Sequence, residues 1–388
     1  MVGLRWSLPT LSGALLVALA TSALVPARAL DKIVLRKNDR EQTILGQVLV
    51  TAEDGGLLVM SADGALCTVP PEELVSHSED TDAFKAYSSN ELASRLLAEL
   101  PAGFEVHTTR HYLIAYNTSK AYAQWCGSLF ERLYGAFTNY WTRQGFELRA
   151  PEFPLVAIVF ADQASYAHFA HAELGEAASS IIGYYSLATN RMTMYDLTGI
   201  ESLRAPGDRR GSPAQINLML SRPDAERTVA TVIHEATHQI AYNCGLQTRY
   251  ADIPLWISEG IAVYFETPDL SSPKGWRDFG GINQSRLAAF ADYAERRGPD
   301  SLRSLIADDS RFRDTSKALD AYAEAWALNY FLIHKRPKQY RAYLQVLAAK
   351  KQLIWDEPSE RLAEFTAAFG NLTALDTDFQ RYMAKMLH

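Results

Sequence analysis

Short apolar runs separated by turn residues open the chain beyond its first thirty positions. Ile44-Leu45, Val48-Leu49-Val50, Leu57-Leu58-Val59-Met60 and Cys67-Thr68-Val69 alternate with Glu53-Asp54-Gly55-Gly56 and Ala62-Asp63-Gly64, a hairpin pattern. Four or five strands within residues 30–80, closed by Pro70-Pro71, predict a small SH3-like β-barrel. Residues 81–103 predict a helical linker. The pattern then changes period. Phe104-Glu105-Val106, Tyr112-Leu113-Ile114-Ala115-Tyr116 and the six-residue run from Leu155 to Phe160 read as strands, and residues 120–143 and 163–174 as helices. Residues 181–196 predict a hairpin turning at Ala188-Thr189-Asn190. From Pro223 onward helical spacing dominates. Strands followed by helices predict an α+β fold: an α/β half over residues 104–200 and a mainly helical half over residues 201–388.

The first 29 residues add an address. Arg5, an apolar run over residues 11–25 and Ala27-Arg28-Ala29 before a cleavage point predict an export signal. The expectation is a secreted or periplasmic protein with no membrane association once the signal is removed. A retained anchor is the weaker reading, because the run is short for a span. The 388-residue chain is 48% hydrophobic and 21% charged with a net charge of −7, which excludes a basic nucleic-acid surface. Its three cysteines form no CxxC pair and read as small buried apolar residues.

The chemistry concentrates in His234-Glu235-Ala236-Thr237-His238. Val229, Val232, Ile233, Ala236 and Ile240 give a helical apolar stripe, Ser221 and Asp224 suggest a capping box, and Gly245 suggests the helix end. His234 and His238 then stand one turn apart on one face, where each imidazole reaches a single ion at about 2.0–2.1 Å. Glu235 is rotated away from the pair, the position of a general base beside a zinc-activated water. A catalytic zinc needs a third ligand, and Glu259 in Trp256-Ile257-Ser258-Glu259-Gly260 follows His238 after twenty residues, enough for a return to a second helix. Gly260 leaves room for close helix packing beside the ion. Glu266, two turns on, is a candidate partner for a ligand imidazole.

HEATH followed by PLWISEGIAVYFE resembles the gluzincin, peptidase MA-like, zinc metallopeptidases, and more closely uncharacterised secreted bacterial members. The resemblance covers residue 104 to the C-terminus and is most specific at His234-Glu235, His238 and Glu259-Gly260. It implies a zincin-like catalytic region with one Zn2+ held by His234, His238 and Glu259, with Glu235 as base. Asp320-Ala321-Tyr322-Ala323-Glu324 is similar to the segment that carries an oxyanion-stabilising tyrosine in aminopeptidase-like members, which points to Tyr322; an ordinary core aromatic is nearly as good a reading. The Gly-x-Met-Glu-Asn strand of aminopeptidases is missing before His234. In gluzincins the strand preceding the metal helix pairs with extended substrate, and Tyr184, Tyr185 and Met192 match it by position.

Competing signals are weaker. His168 and His171 with Glu173 read as surface residues, and His107 and His111 are too far apart on a strand to share an ion. No G-x-S-x-G elbow is present. The leading expectation is therefore a secreted zinc metallopeptidase acting on a peptide or protein substrate through a zinc-activated water and a glutamate base. The alternatives are a catalytically silent zincin-fold binding protein, docking to a partner or cell-wall polymer through the N-terminal β unit, and a zinc hydrolase of a non-peptide amide.

Overall fold

The computed structural model describes residues 29–205, 207–266 and 281–387; the expected export signal lies outside the described residues, apart from its last position. The N-terminal unit holds five strands: β1 (Ala29–Lys37), β2 (Arg40–Thr51), β3 (Leu57–Ser61), β4 (Leu66–Val69) and β5 (Leu74–Ala83). They form one antiparallel sheet in the order β4-β3-β2-β1-β5. Gly55 and Gly64 turn with φ of 92° and 83°, as the Asp-Gly signals predict, and Asn38-Asp39 turn with φ of 51° and 59°. Among the described residues β4 and β5 do not pair, so the expected closed barrel is an open sheet. β5 also takes residues expected at the start of the helical linker. Nearly all of its side chains are exposed, and its ladder to β1, not an apolar face, holds it. Helix α1 (Ser89–Glu99) begins only where Ser88 and Glu91 form a capping box.

The second sheet takes β6 (Glu105–Thr108), β7 (Tyr112–Tyr116), β8 (Leu155–Phe160), β9 (Gly183–Tyr185) and β10 (Arg191–Tyr195) in the order β6-β7-β8-β10-β9. The pairs β7·β8 and β8·β10 are parallel, while β6 and β9 run antiparallel at the two edges. Helices α2 (Lys120–Arg143) and α3 (Gln163–Leu174) lie between strands in sequence. Ile114, Ala157, Val159, Met192 and Met194 join the large core shared with α2 and the helical half. Leu113, Ala115, Val156, Ile158 and Phe160 face the opposite core with α1 and α3. A strand buried on both faces reads as a continuous apolar run, which is why residues 155–160 are legible.

The C-terminal half is helical: α4 (Pro213–Leu220), α5 (Glu226–Asn243), α6 (Leu255–Phe265), α7 (Gln284–Ala294), α8 (Ser301–Ala307), α9 (Ser310–Arg313), α10 (Ala318–Lys335), α11 (Pro337–Ala348), α12 (Pro358–Phe369) and α13 (Leu372–Met386). The fold is thus mixed α+β with a mostly helical second half. No helix of the described residues is long and apolar enough to cross a membrane.

Three further expectations change. The Ser221–Asp224 capping box does not form: Arg222 is drawn to Asp208 at 3.0 Å, and α5 begins at Glu226 after Ala225, without a side-chain cap. Cys67 is exposed, whereas Cys126 and Cys244 are buried. Gly260 does admit a close helix, but the neighbour is α10: a Cβ there would lie 1.9 Å from Asn329 Nδ2 and 3.0 Å from the Ala325 carbonyl.

Candidate metal centre

Helix α5 carries His234 and His238 on one face because they are four residues apart. Its other face is fixed by Val229, Val232, Ile233, Ala236 and Ile240, all buried. The helix ends at Cys244, with Gly245 at φ 83°, the left-handed position a glycine fills without steric cost. Helix α6 returns against α5. Asn329 of α10 donates to the Trp256 carbonyl at 2.8 Å and fixes the register of α6.

Together these place three ligand-type atoms, one each from His234, His238 and Glu259, within 4.8 Å of one another. His234 Nε2 lies 3.0 Å from Glu259 Oε2 and 3.1 Å from His238 Nε2, and His238 Nε2 lies 3.6 Å from Glu259 Oε1. The opposite ring nitrogens are also engaged. His234 Nδ1 is 3.1 Å from Glu266 Oε2, and His238 Nδ1 is 3.3 Å from Ser258 Oγ. With Nδ1 donating in both rings, as the partners direct, the two Nε2 lone pairs and a carboxylate converge. Electron-pair donors so close repel one another unless a cation or a proton lies among them. Ligands of a tetrahedral ion bound at about 2.0–2.1 Å stand about 3.3–3.4 Å apart, and the three separations bracket that spacing. The donor set, two neutral imidazoles and one carboxylate, suits zinc.

Without metal a proton takes the cation's place. Burial pulls the His234 pKa down, but hydrogen bonds to Glu259 and Glu266 outweigh it and hold the imidazole up at about 10. Burial raises the Glu259 carboxyl, yet the His238 and His234 charges and their hydrogen bonds bring it well below the ordinary carboxylate range.

Glu235 lies beside this cluster. Its Oε2 accepts the Tyr185 N–H at 2.8 Å from edge strand β9. Burial pushes its carboxyl up, partly offset by the two histidines. Tyr322, half-buried on α10, packs edge-on to Phe312 at 5.3 Å, with Arg286 5.6 Å from its ring centre. Burial and the nearby Glu259 and Glu235 charges drive its phenol far above the usual tyrosine range, so it stays a proton donor.

The structure therefore brings together His234, Glu235, His238, Glu259, Glu266 and Tyr322. Of the expected substrate contacts, Tyr185 reaches the site through its backbone. The Tyr184 side chain turns to the opposite side of the sheet, where its hydroxyl donates to Glu173 at 3.0 Å. Met192 is fully buried in the core and pairs with Tyr185 inside the sheet, so it has no surface for a substrate. Period-two alternation separates the two: Tyr184 opposes Thr193, and Met192 opposes Tyr185.

Several participants escape sequence reasoning. Ser258 links His238 to Gln247, which lies 3.3 Å away. Asn283 donates to Glu266 Oε1 at 3.0 Å, with Arg286 Nε at 3.4 Å. Ser258 adjoins the third-ligand candidate and offered a local signal. Asn283 and Arg286 arrive through the start of α7 and offered none. His107, His168 and His171 stay outside the cluster, and His111 pairs with Glu131 at 2.7 Å. No curated protein matches the chain. A family model described as a protein of unknown function (DUF1570) matches residues 228–354, a segment that includes both histidines, Glu259 and Tyr322 but none of the ten strands.

Proposed function

We propose that the protein is an extracytoplasmic zinc-dependent peptidase of the gluzincin type, with His234, His238 and Glu259 holding one zinc ion. The observation that carries the reading is the convergence of those three donors beside a half-buried carboxylate, Glu235, that is not itself one of them. The catalytic region is read as zincin-like, since a mixed sheet with an antiparallel edge strand lies against the metal helix. The N-terminal strand order also fits an SH3-like sheet that stays open.

A bound zinc ion supplies Lewis acidity, which eases deprotonation of water and polarises an acyl oxygen. Glu235 accepts the proton of the attacking water and delivers it to the leaving nitrogen. The Tyr185 N–H steadies Oε2, and Oε1 has no protein partner among the described residues. Tyr322, held protonated, donates to the oxygen on which negative charge develops, a contribution of roughly 10²–10³ in rate for one such donor. The outer edge of β9, which pairs with no strand among the described residues, offers backbone groups to an extended peptide.

Metal analysis of the purified protein together with Glu235→Gln tests this. Stoichiometric zinc is expected in both proteins, with peptide hydrolysis abolished in the variant. A zinc-free wild type, or a variant that still hydrolyses at the wild-type rate, refutes the reading.

A further inference from the structure

The turn between β3 and β4 is joined to the turn between β9 and β10 by separate polar ties. Leu66 N–H donates to the Ala188 carbonyl at 2.7 Å. Arg249 donates from Nη2 to the Gly64 carbonyl at 2.7 Å and from Nη1 to the Leu187 carbonyl at 3.1 Å. Arg191, the first residue of β10, pairs with Asp63 at 3.0 Å and with Glu99 at 2.7 Å. An apolar contact lies beside them, where Phe153 packs with Leu58, Met60 and Leu66.

Arg249 is 9% exposed, and no carboxylate lies within ion-pair distance of it among the described residues. Burying a cation on two neutral carbonyls is an expensive way to join two turns. What it provides is geometry, because a planar guanidinium fixes the spacing and angle of the groups it bridges. The hairpin so held is the one whose Tyr185 N–H grips Glu235. It is also held by the parallel ladder of β10 to β8 and by α5: Asn243 Nδ2 donates to Asn190 Oδ1 at 2.7 Å, and Gln239 Nε2 to the Asn190 carbonyl at 3.0 Å. The hairpin is thus clamped between the metal helix and the N-terminal sheet.

We propose that the N-terminal sheet is a working part of the hydrolytic site, with Arg249 as the positioning residue that sets the β9–β10 hairpin and, through the Tyr185 N–H, the Glu235 carboxylate. This rests on the peptidase reading, and it assigns the sheet a role other than docking to a partner or polymer. Because Asn190 keeps its bonds to α5, loss of Arg249 tilts the hairpin without releasing it, and the metal ligands on α5 and α6 stay in place.

The test uses the full-length zinc-loaded protein as Arg249→Met, Arg249→Lys and Asp63→Asn, each compared with wild type and Glu235→Gln. Hydrogen exchange at residues 183–188 should quicken at least about tenfold in Arg249→Met, with residues 229–243 unchanged and zinc still stoichiometric. On quenched-fluorescent peptides cleaved by the wild type, kcat should fall roughly ten- to a hundredfold, equivalent to one charge-assisted hydrogen bond, with KM within about threefold. Arg249→Lys should recover part of the loss, and Asp63→Asn should show a smaller change of the same kind. Unchanged exchange in the hairpin overturns the proposal, as does a kcat equal to wild type. Parallel loss of zinc, kcat and thermal stability also overturns it, since that pattern marks a merely structural residue. If the wild type cleaves no peptide, the peptidase reading falls separately, and the exchange result still decides whether Arg249 sets the hairpin.

Discussion

Replacing Glu266 by glutamine changes one atom and should weaken metal binding without touching a ligand. Glu266 is 6% exposed. One oxygen faces His234 Nδ1 at 3.1 Å; the other accepts from Asn283 at 3.0 Å and lies 3.4 Å from Arg286. As a carboxylate it accepts on both sides, which keeps the His234 proton on Nδ1 and the lone pair on Nε2. A glutamine fails in either orientation. With its amide nitrogen toward Asn283 and Arg286, donors face donors. With its nitrogen toward His234, the imidazole is driven to the tautomer that cannot bind metal. Exchanging a charged for a neutral hydrogen bond costs about 1 kcal/mol, and a buried mismatched donor adds about another. The sum, about 2 kcal/mol, is roughly thirtyfold in affinity and lies within the range typical of such outer partners. Competition of the metal-free protein against a chromophoric zinc chelator near pH 7.5 measures it. A Glu266→Gln affinity within about threefold of wild type would refute the reasoning, because His234 would then need no carboxylate to orient it.

Three further outcomes follow from the same geometry. The metal-free site holds a proton at His234 up to about pH 10, so zinc uptake between pH 7 and 9 should release about one proton, and affinity should climb toward pH 10 and then level; calorimetry in buffers of different ionisation heat reads the proton count, and a count of zero contradicts the assignment. The sign for the metal-free fold is that His234, raised from 6.5, contributes stability fully present below pH 6.5 and lost as pH rises through about 10, whereas Glu259, lowered from 4.5, contributes stability present above pH 4.5 and lost in stronger acid. The metal-free melting temperature should accordingly peak between these limits, and a maximum above pH 9 would contradict it. Gly260→Ala pushes a methyl group onto Asn329, an overpacking cost of roughly 1–3 kcal/mol, and should lower both the melting temperature and zinc occupancy because Glu259 is the adjacent residue; an unchanged melting temperature would show that α10 yields freely.

Much of this arrangement is legible in the sequence wherever one short-range rule governs. The helix at residues 120–143 and the strand at residues 155–160 match their apolar patterns, and two histidines at helical spacing declare a shared face. What stays hidden depends on partners far along the chain. β5 has almost no apolar pattern, and only β1, some forty residues earlier, makes it a strand. The neighbour of Gly260 is Asn329, which no local periodicity reveals. Met192 matched a substrate-contacting strand by position, yet β10 lies between β8 and β9, so the sheet edge on that side is β9. Arg249 follows α5 without any local signal, and its position matters only through two turns about 120 residues apart.

The hairpin grip on Glu235 bears on how small a working fragment can be made. A piece cut to residues 228–354 would keep every metal donor and Tyr322, yet it would start inside the first turn of α5 and strip away the strands that cover its apolar stripe. Such a fragment would be expected to precipitate or to take up zinc in a shapeless chain, with no backbone amide to aim the glutamate. Trimming for crystallisation or engineering should therefore keep the chain from β1 onward.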